Sequence, residues 1–293
     1  MTAFLFLVGF AFAITPQKFL QDGAPKLALS VAYQHLANNP DSSENHIFAG
    51  IALCRIGRYA DALSHFDFGI GDKRHDIKRV EYQAMALRAI GKGEQAAQLR
   101  QELLFDPRVK VAIQVRLRGD IIDDYRVAGM YDKAFAEAYT FIGKHPRSAL
   151  ANALLAELYL DTGELEQAAF FIWKAEQLRF NLRTERAAGR LSMLKGDVET
   201  AYHTFRLIQR SLRTNDNLAF YLEAMRQYEG PQKAYDFISL PRFRSNEAPL
   251  VLIVKHRIYN ELGKKQELNM LRQRMLSLYS KNKMVMAEYS QLL

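Results

Sequence analysis

The sequence predicts an all-α protein, a right-handed α-solenoid of about seven to eight helix pairs that ends in a capping helix. In its 293 residues a glycine recurs at nearly constant intervals, an alanine usually follows five positions later, and prolines stand where second helices should end. A period of this length holds one pair of antiparallel helices. The spacings are 34, 34, 38, 34, 33, 34 and 33 residues, between Gly23, Gly57, Gly91, Gly129, Gly163, Gly196, Gly230 and Gly263.

Each repeated glycine is expected to form the turn inside a helix pair, because a helix that reverses within a few residues needs a residue that tolerates positive φ. A small side chain five positions later lets the second helix approach the first, at Ala28, Ala62, Ala96, Ala134, Ala168 and Ala201. Another small residue often precedes the glycine by seven positions, at Gly50, Ala84, Ala156 and Gly189. Proline cannot continue a helix, so second helices should stop before Pro40, Pro107 and Pro146.

The order of small residue, turn glycine, alanine, large apolar residue and terminal proline resembles the tetratricopeptide repeat (TPR) family. The resemblance covers nearly the whole chain. It implies stacked helix pairs whose first helices line a concave groove, and it implies binding of another protein. Two repeats depart from the pattern, since Pro231 follows Gly230 with Ala234 one place early, and Leu268 replaces the alanine after Gly263. We expect these two units to pack irregularly.

The two ends of the chain are expected to differ from the repeats. Residues 1–13 are uncharged and almost wholly apolar, and they end in the small-x-small pattern Ala11-Phe12-Ala13, which is typical of a secretory signal peptide. We therefore expect a signal peptide over 1–13 and the TPR-like solenoid over 14–293. The alternative is that residues 1–13 are retained as a first helix. No later segment has the roughly 18 apolar residues of a membrane span.

The last stretch, Asn282 to Leu293, is expected to form an amphipathic helix that caps the solenoid. A solenoid needs such a cap because its final repeat would otherwise expose an apolar face. At the other end, Thr15 and Pro16 suit the N-cap and first position of a short helix.

No constellation in the sequence indicates catalysis, a cofactor or a metal. The single cysteine, Cys54, excludes an intrachain disulfide and zinc sites built on several thiolates. No two of the seven histidines stand at metal-ligand spacing on one helix face. The glycine-rich motifs of nucleotide-binding and hydrolase folds are absent, and Gly91-Lys92-Gly93 has no preceding strand. We expect a non-enzymatic protein without a cofactor.

The positions that the TPR resemblance assigns to the concave groove carry mostly positive charge. Arginine binds carboxylates and phosphates through bidentate hydrogen bonds. Only a few acids share these positions: Glu81, Asp123, Glu157 and Asp161. A groove for an acidic peptide segment is therefore expected, and the alternative is that the arginines are solvated, some of them paired with Glu185 or Glu157. The predicted binding residues are Arg55, Lys78, Arg88, Arg116, Arg126, Arg183, Arg186, Arg190 and Arg257.

Aromatic residues are plentiful on the predicted second helices. At helical spacing such residues belong to the core more often than to a ligand platform. We expect burial of Phe170, Phe171, Trp173, Tyr202 and Phe205. Any that stay exposed would indicate a partner surface.

The leading functional hypothesis is a scaffold that binds another protein. With a signal peptide it would be periplasmic or secreted, and by analogy with the family it would assist assembly of a pilus, a secretion system or an exopolysaccharide export machine. The alternatives are a periplasmic protein that binds an anionic polysaccharide, and a cytoplasmic adaptor or regulator. The formal net charge of +8 favours acidic partners, but no reading helix or stacking module indicates nucleic acid.

Overall fold

The computed structural model describes residues 15–71 and 74–290, and the regular secondary structure in these ranges is helical. The signal peptide expected over 1–13 lies outside the described residues. The helices are α1 (Pro16–Gln21), α2 (Pro25–Asn38), α3 (Ser43–Arg55), α4 (Tyr59–Phe68), α5 (Asp76–Ala89), α6 (Gly93–Leu104), α7 (Val111–Val127), α8 (Tyr131–Lys144), α9 (Ala149–Thr162), α10 (Leu165–Leu178), α11 (Leu182–Leu194), α12 (Val198–Ser211), α13 (Asn215–Tyr228), α14 (Pro231–Ile238), α15 (Pro241–Arg244), α16 (Pro249–Glu261), α17 (Lys265–Tyr279) and α18 (Lys283–Ser290).

The predicted all-α solenoid is confirmed, and residues 15–71 and 74–290 hold eight helix pairs where seven to eight were expected. Each repeated glycine separates the first and second helix of a pair, and φ at all eight lies between +63° and +96°. At seven of the eight turns the amide after the glycine donates to a carbonyl five residues earlier, as from Lys92 N to Leu87 O at 2.8 Å; Gly230 is the exception, because Pro231 has no N–H. This bond satisfies a carbonyl that the helix end leaves unpaired. The pairs are α1/α2, α3/α4, α5/α6, α7/α8, α9/α10, α11/α12, α13/α14 and α16/α17.

The small residues predicted inside the pairs are buried against large side chains. A Cβ atom placed on Gly50 would lie 2.6 Å from the Phe66 ring, and one on Gly189 would lie 2.9 Å from the Phe205 ring. Both rings are completely buried, so each glycine supplies the space that a ring fills. The predicted contact alanines are also completely buried: Ala28, Ala62, Ala96, Ala134, Ala168 and Ala201.

The irregular steps of the sequence have local structural causes. The 38-residue step lies in α7, which has 17 residues, whereas α5 and α9 have 14 each. After Gly230 the second helix α14 is only 8 residues long, and the four-residue α15 follows it. The buried Nζ of Lys255 donates to the carbonyls of Arg244 and Asn246, at 3.0 and 2.8 Å, and so holds this irregular connection. Irregular packing of this unit is thus confirmed.

The capping helix expected at the C-terminus is α18, and residues 291–293 lie outside the described residues. Its Val285 side chain is completely buried. The Asn282 Oδ1 atom accepts hydrogen bonds from the amides of Met284 and Val285, at 3.1 and 3.2 Å. These bonds satisfy two amides that the helix N-terminus leaves unpaired.

The C-terminal part of the chain, residues 246–290, also packs back onto the turns of the N-terminal pairs. The sequence did not predict this contact. The Tyr279 hydroxyl donates to the carbonyl of Gly57 at 3.3 Å, and Asn282 Nδ2 donates to the carbonyl of Ala89 at 2.7 Å. One hydrophobic core joins residues of α2 to α4 with residues of α13, α16 and α17. The chain itself therefore covers the edge that carries the first turns.

Across 15–71 and 74–290, the structure has no helix that is both long and apolar enough to cross a bilayer.

Candidate functional site

The first helices of successive pairs lie against one another, as α3 does against α5, α7 against α9 and α9 against α11. We call the surface formed by α3, α5, α7, α9, α11, α13 and α16 the inner surface. All nine predicted binding residues lie on these helices. Their neighbours decide whether they are free to bind a partner.

The centre of the inner surface is a network of charged hydrogen bonds around Glu157. This carboxylate is completely buried. It accepts a hydrogen bond from Arg183 Nε at 2.8 Å and two from Arg186, at 2.9 and 2.6 Å. Arg183 also donates to Asp123, which lies on α7, two pairs away. The arginines of α11 are therefore held by acids of α7 and α9.

A second carboxylate extends this network across α7, α9 and α11. Asp161 accepts hydrogen bonds from Arg126 Nη1 at 2.8 Å and from Arg190 Nη2 at 2.5 Å. Arg126 also donates to Asp123 at 3.2 Å. Each of these arginine side chains is 17% exposed. Four of the predicted binding arginines thus donate to carboxylates of this one network.

The arginines control the ionisation of the buried acids. Burial alone raises the pKa of the Glu157 carboxyl, but Arg183 and Arg186 lower it more, and its pKa is about 2. Burial also raises the pKa of Asp123, and Arg183 and Arg126 again reverse the effect, so its pKa lies well below the usual range. Both carboxylates are therefore charged at neutral pH and neutralise the arginines around them.

Three further predicted residues have carboxylate partners. Arg88 lies 3.5 Å from Asp124. Arg257 bridges Glu288 at 2.7 Å and Glu223 at 3.2 Å. Arg116, which is more exposed, pairs with Glu81.

Sequence reasoning missed several buried partners of this surface, including Glu223, Glu288 and Arg100. Arg100 lies on the second helix α6, is almost completely buried, and donates to Asp124. Burial raises the pKa of Asp124 to about 6, although Arg100 and Arg88 act in the opposite direction. Periodicity gave no signal for this pair, because the TPR resemblance assigns the groove to first helices and Arg100 lies on a second helix.

Arg55 and Lys78 differ from the other seven predicted residues. Over the ranges 15–71 and 74–290, neither side chain reaches a carboxylate. Arg55 donates instead to the carbonyl of Leu20 at 2.5 Å and to the hydroxyl of Tyr82 at 3.4 Å. Both cations border a recess of about 70 Å³ at the N-terminal end of the inner surface. We call this recess the N-terminal pocket, and it is lined by Gln17, Leu20, Gln21, Phe48, Ile51, Arg55, Lys78 and Tyr82.

The N-terminal pocket combines an apolar floor with a polar rim. Phe48 and Ile51 are almost completely buried beneath it, while Arg55 and Lys78 are exposed. Gln17 adds an amide that can donate or accept a hydrogen bond. This arrangement can hold an anionic group against the cations while an adjoining apolar group contacts the floor.

The aromatic residues predicted as core divide into two groups. Phe171, Tyr202 and Phe205 are buried, which confirms the prediction for them. Phe170 and Trp173 are 45% and 55% exposed, so the prediction is wrong for these two. They lie on the solvent face of α10, where their rings stack with centroids 6.4 Å apart.

Comparisons with known proteins support the fold. No protein-family model matches the sequence, and no curated protein matches it. A tetratricopeptide repeat protein from Parabacteroides merdae ATCC 43184 is 14% identical, with 86% of this chain and 98% of that chain covered and a TM-score of 0.50. A structure of the APC/C hetero-tetramer Cut9–Hcn1 is 13% identical, covering 95% of this chain but only 54% of that chain, with a TM-score of 0.50. PilW, a type IV pilus biogenesis factor, is 12% identical over 69% of this chain and 92% of that chain, with a TM-score of 0.48. The chain therefore has the tetratricopeptide-repeat fold that its glycine period predicted.

Proposed function

We propose that this protein is a non-enzymatic scaffold that binds an acidic segment of a partner protein in the N-terminal pocket. One observation carries the proposal. Seven of the nine predicted groove cations are paired with carboxylates of the chain itself. Arg55 and Lys78 are the two that are not, and both border the pocket. The proposed binding site is therefore only the N-terminal end of the predicted groove.

Competition explains why the paired arginines contribute less to binding. An acidic ligand at Arg183 or Arg186 would have to displace buried Glu157 from its hydrogen bonds. Removing one partner from a buried charge pair costs about 3–5 kcal/mol. A ligand carboxylate at Lys78 displaces only water, so binding is favoured there.

The test uses a fluorescently labelled hexaglutamate peptide as the probe, with fluorescence anisotropy as the measurement. Lys78→Glu should weaken binding about tenfold, since it replaces an attraction by a repulsion. Lys233→Glu is the matched control, because Lys233 is exposed on α14 and the net charge changes equally. The control should bind like the wild type.

Two results would overturn the proposal that the N-terminal pocket binds the acidic segment. One is equal affinity of the Lys78 and Lys233 variants, which would leave only non-specific attraction to a basic protein. The other is undetectable binding of hexaglutamate together with saturable binding of alginate, which would favour the anionic polysaccharide as the ligand.

We also propose that the chain is exported and assists assembly of a cell-envelope machine such as a pilus, a secretion system or an exopolysaccharide exporter. Export is supported by the uncharged, apolar residues 1–13 and their small-x-small ending. The assembly role is an analogy at the level of fold. Intact-mass spectrometry of the protein from its native cell should give a chain that begins at Ile14. A chain that begins at Met1 or Thr2 would contradict cleavage and favour a cytoplasmic adaptor.

A further inference from the structure

The two edges of the solenoid differ in what covers them. One edge carries the glycine turns within pairs, and the C-terminal part packs on its first turns. The opposite edge carries the connections between pairs. We call three successive connections, together with the helix-end residue beside each, the connection edge. They are residues 105–111, which end at the first residue of α7; residues 144–148, which begin at the last residue of α8; and residues 178–181, which begin at the last residue of α10. Because each connection joins a second helix to the next first helix, all three lie on the same side of the solenoid.

Apolar side chains protrude from the connection edge. Phe105 is 87% exposed, Val111 73% and Phe180 72%. Among the large apolar residues of the described ranges, these are the most exposed. A side chain exposed to this degree gains almost nothing from folding, so its contact energy remains available to a partner.

Cations alternate with these apolar side chains. Lys110, Lys144, Arg147 and Arg179 are all exposed. Across the two described ranges, none of the four is within reach of a carboxylate. The one carboxylate in the three connections is Asp106, which accepts hydrogen bonds from Arg108 Nε at 3.0 and 3.1 Å. The connection edge therefore presents an excess of positive charge.

An open cavity lies on the same edge, between the start of α7 and the α8–α9 connection. Its volume is about 440 Å³. Val115, His145, Pro146, Arg147 and Ser148 line it. A guanidinium beside a hydroxyl can bind a phosphate oxygen.

We propose that the connection edge binds the surface of an anionic lipid bilayer. Protruding apolar tips can insert at the boundary between headgroups and acyl chains, and cations beside them attract anionic headgroups. The three connections carry five Lys and Arg residues and one Asp. Val111 is aliphatic and cannot stack on a nucleic-acid base, and the tips protrude from separate connections, so a lipid surface fits better than a single-stranded nucleic acid. None of the residues that line the N-terminal pocket belongs to the connection edge, and this proposal stands independently of the peptide site.

The experiment is co-sedimentation of the purified protein with vesicles. One set contains phosphatidylcholine alone, and the other contains equal parts of phosphatidylcholine and phosphatidylglycerol. The protein should bind the anionic vesicles and not the neutral ones, and added salt should weaken the binding because the exposed charges are screened.

Two variants test the two components of the surface. Phe105→Ser with Phe180→Ser removes the apolar tips, and Lys110→Glu with Arg147→Glu and Arg179→Glu reverses the charge. Each combination should lower the partition coefficient about tenfold or more, since a basic residue near an anionic surface and a buried apolar side chain both contribute strongly.

Matched controls carry the same changes elsewhere. Leu207→Ser with Trp173→Ser removes exposed apolar side chains from the second helices α12 and α10. Lys195→Glu with Lys233→Glu and Lys265→Glu makes the same change in net charge away from the connection edge. Both controls should bind like the wild type.

The proposal is overturned if the wild type does not bind anionic vesicles, or if the edge variants and their controls bind equally. All substituted side chains are exposed, and thermal unfolding followed by circular dichroism should verify that each variant is folded. If the protein did not bind vesicles but did bind a single-stranded oligonucleotide, the proposal of a lipid-binding surface would likewise be contradicted.

Discussion

Individual glycines in this chain serve two distinct physical purposes. At the pair turns, φ between +63° and +96° requires a residue without Cβ. Gly50 has ordinary helical backbone, yet its missing side chain leaves room for the Phe66 ring. Glycine inside a helix costs about 1 kcal/mol relative to alanine. The contact with Phe66 offsets that cost.

The replacement Gly50→Ala tests this account. A Cβ atom 2.6 Å from the buried Phe66 ring must displace the ring or the helix, so overpacking should lower the free energy of unfolding by about 1–3 kcal/mol. Gly143→Ala is the control, because Gly143 is also helical and has no atom within 4 Å of the added Cβ. The control should be neutral or slightly stabilising. Urea denaturation gives both values, and a stabilised Gly50 variant would contradict the packing.

At the scale of helices, the charge network ties α7, α9 and α11 together. Glu157 is buried on α9 and holds two arginines of α11, and Arg183 reaches on to Asp123 of α7. Buried charges are tolerated only where they are paired and hydrogen-bonded. The network therefore fixes the relative positions of three first helices through the charges of their side chains.

Stability should consequently fall in acid. The pKa of Glu157 is lowered from 4.5 to about 2 in the folded protein. A carboxyl with a depressed folded pKa contributes stability that is fully present above about pH 4.5 and is lost as pH falls towards 2. For Glu157 this amounts to about 3 kcal/mol. Urea midpoints measured from pH 4.5 down to pH 2.5 should therefore decrease for the wild type.

The variant Glu157→Gln isolates this contribution. It should lose about 3–5 kcal/mol at pH 7, because two arginines keep their charge without a carboxylate, and its stability should depend less on pH below 4.5. Glu166→Gln is the control, since Glu166 is exposed on α10. If the stability curves of the wild type and the Glu157 variant were parallel in acid, the network would not stabilise the fold electrostatically.

The sequence predicted helices better than it predicted contacts between them. The turn glycines and contact alanines repeat, so their positions follow from one period, and even the extra turn of α7 appears as a longer step. Arg183 and Asp123 are 60 residues apart, and no periodic signal tells a solvated arginine from one that pairs two repeats away. The nine predicted groove residues do lie on first helices, while the difference between Arg186, which is paired, and Lys78, which is not, required the structure.

The whole molecule is more closed than a simple row of repeats. A Cβ atom on Gly91 would lie 2.3 Å from the carbonyl oxygen of Lys281, and one on Gly57 would lie 2.6 Å from the amide nitrogen of Ala248. Turn glycines of the N-terminal pairs thus allow the backbone of the C-terminal part to approach closely. The sequence does not reveal this second role of Gly57 and Gly91, since all turn glycines satisfy the same local requirement for positive φ.

Two turn glycines with nearly identical backbone conformations allow the stability that this packing of the C-terminal part contributes to be measured. φ is +87° at Gly91 and +83° at Gly163, but Gly163 has no atom within 4 Å of an added Cβ. Gly163→Ala should therefore cost only the left-handed backbone strain, about 1–2 kcal/mol. Gly91→Ala should cost more, because its Cβ meets backbone atoms of Lys281 and Asn282 that cannot move without unseating the C-terminal part.

Hydrogen exchange should show which part of the Gly91 variant loses the additional stability. In the Gly91 variant, amides of residues 279–290 should exchange faster than in the Gly163 variant, while the helices α7 to α12 remain equally protected. Such a result would mean that the C-terminal part is held by the first turns as well as by its neighbouring repeats. Equal melting temperatures and equal exchange in the two variants would instead mean that the last repeats are stabilised by stacking alone, as in an open solenoid.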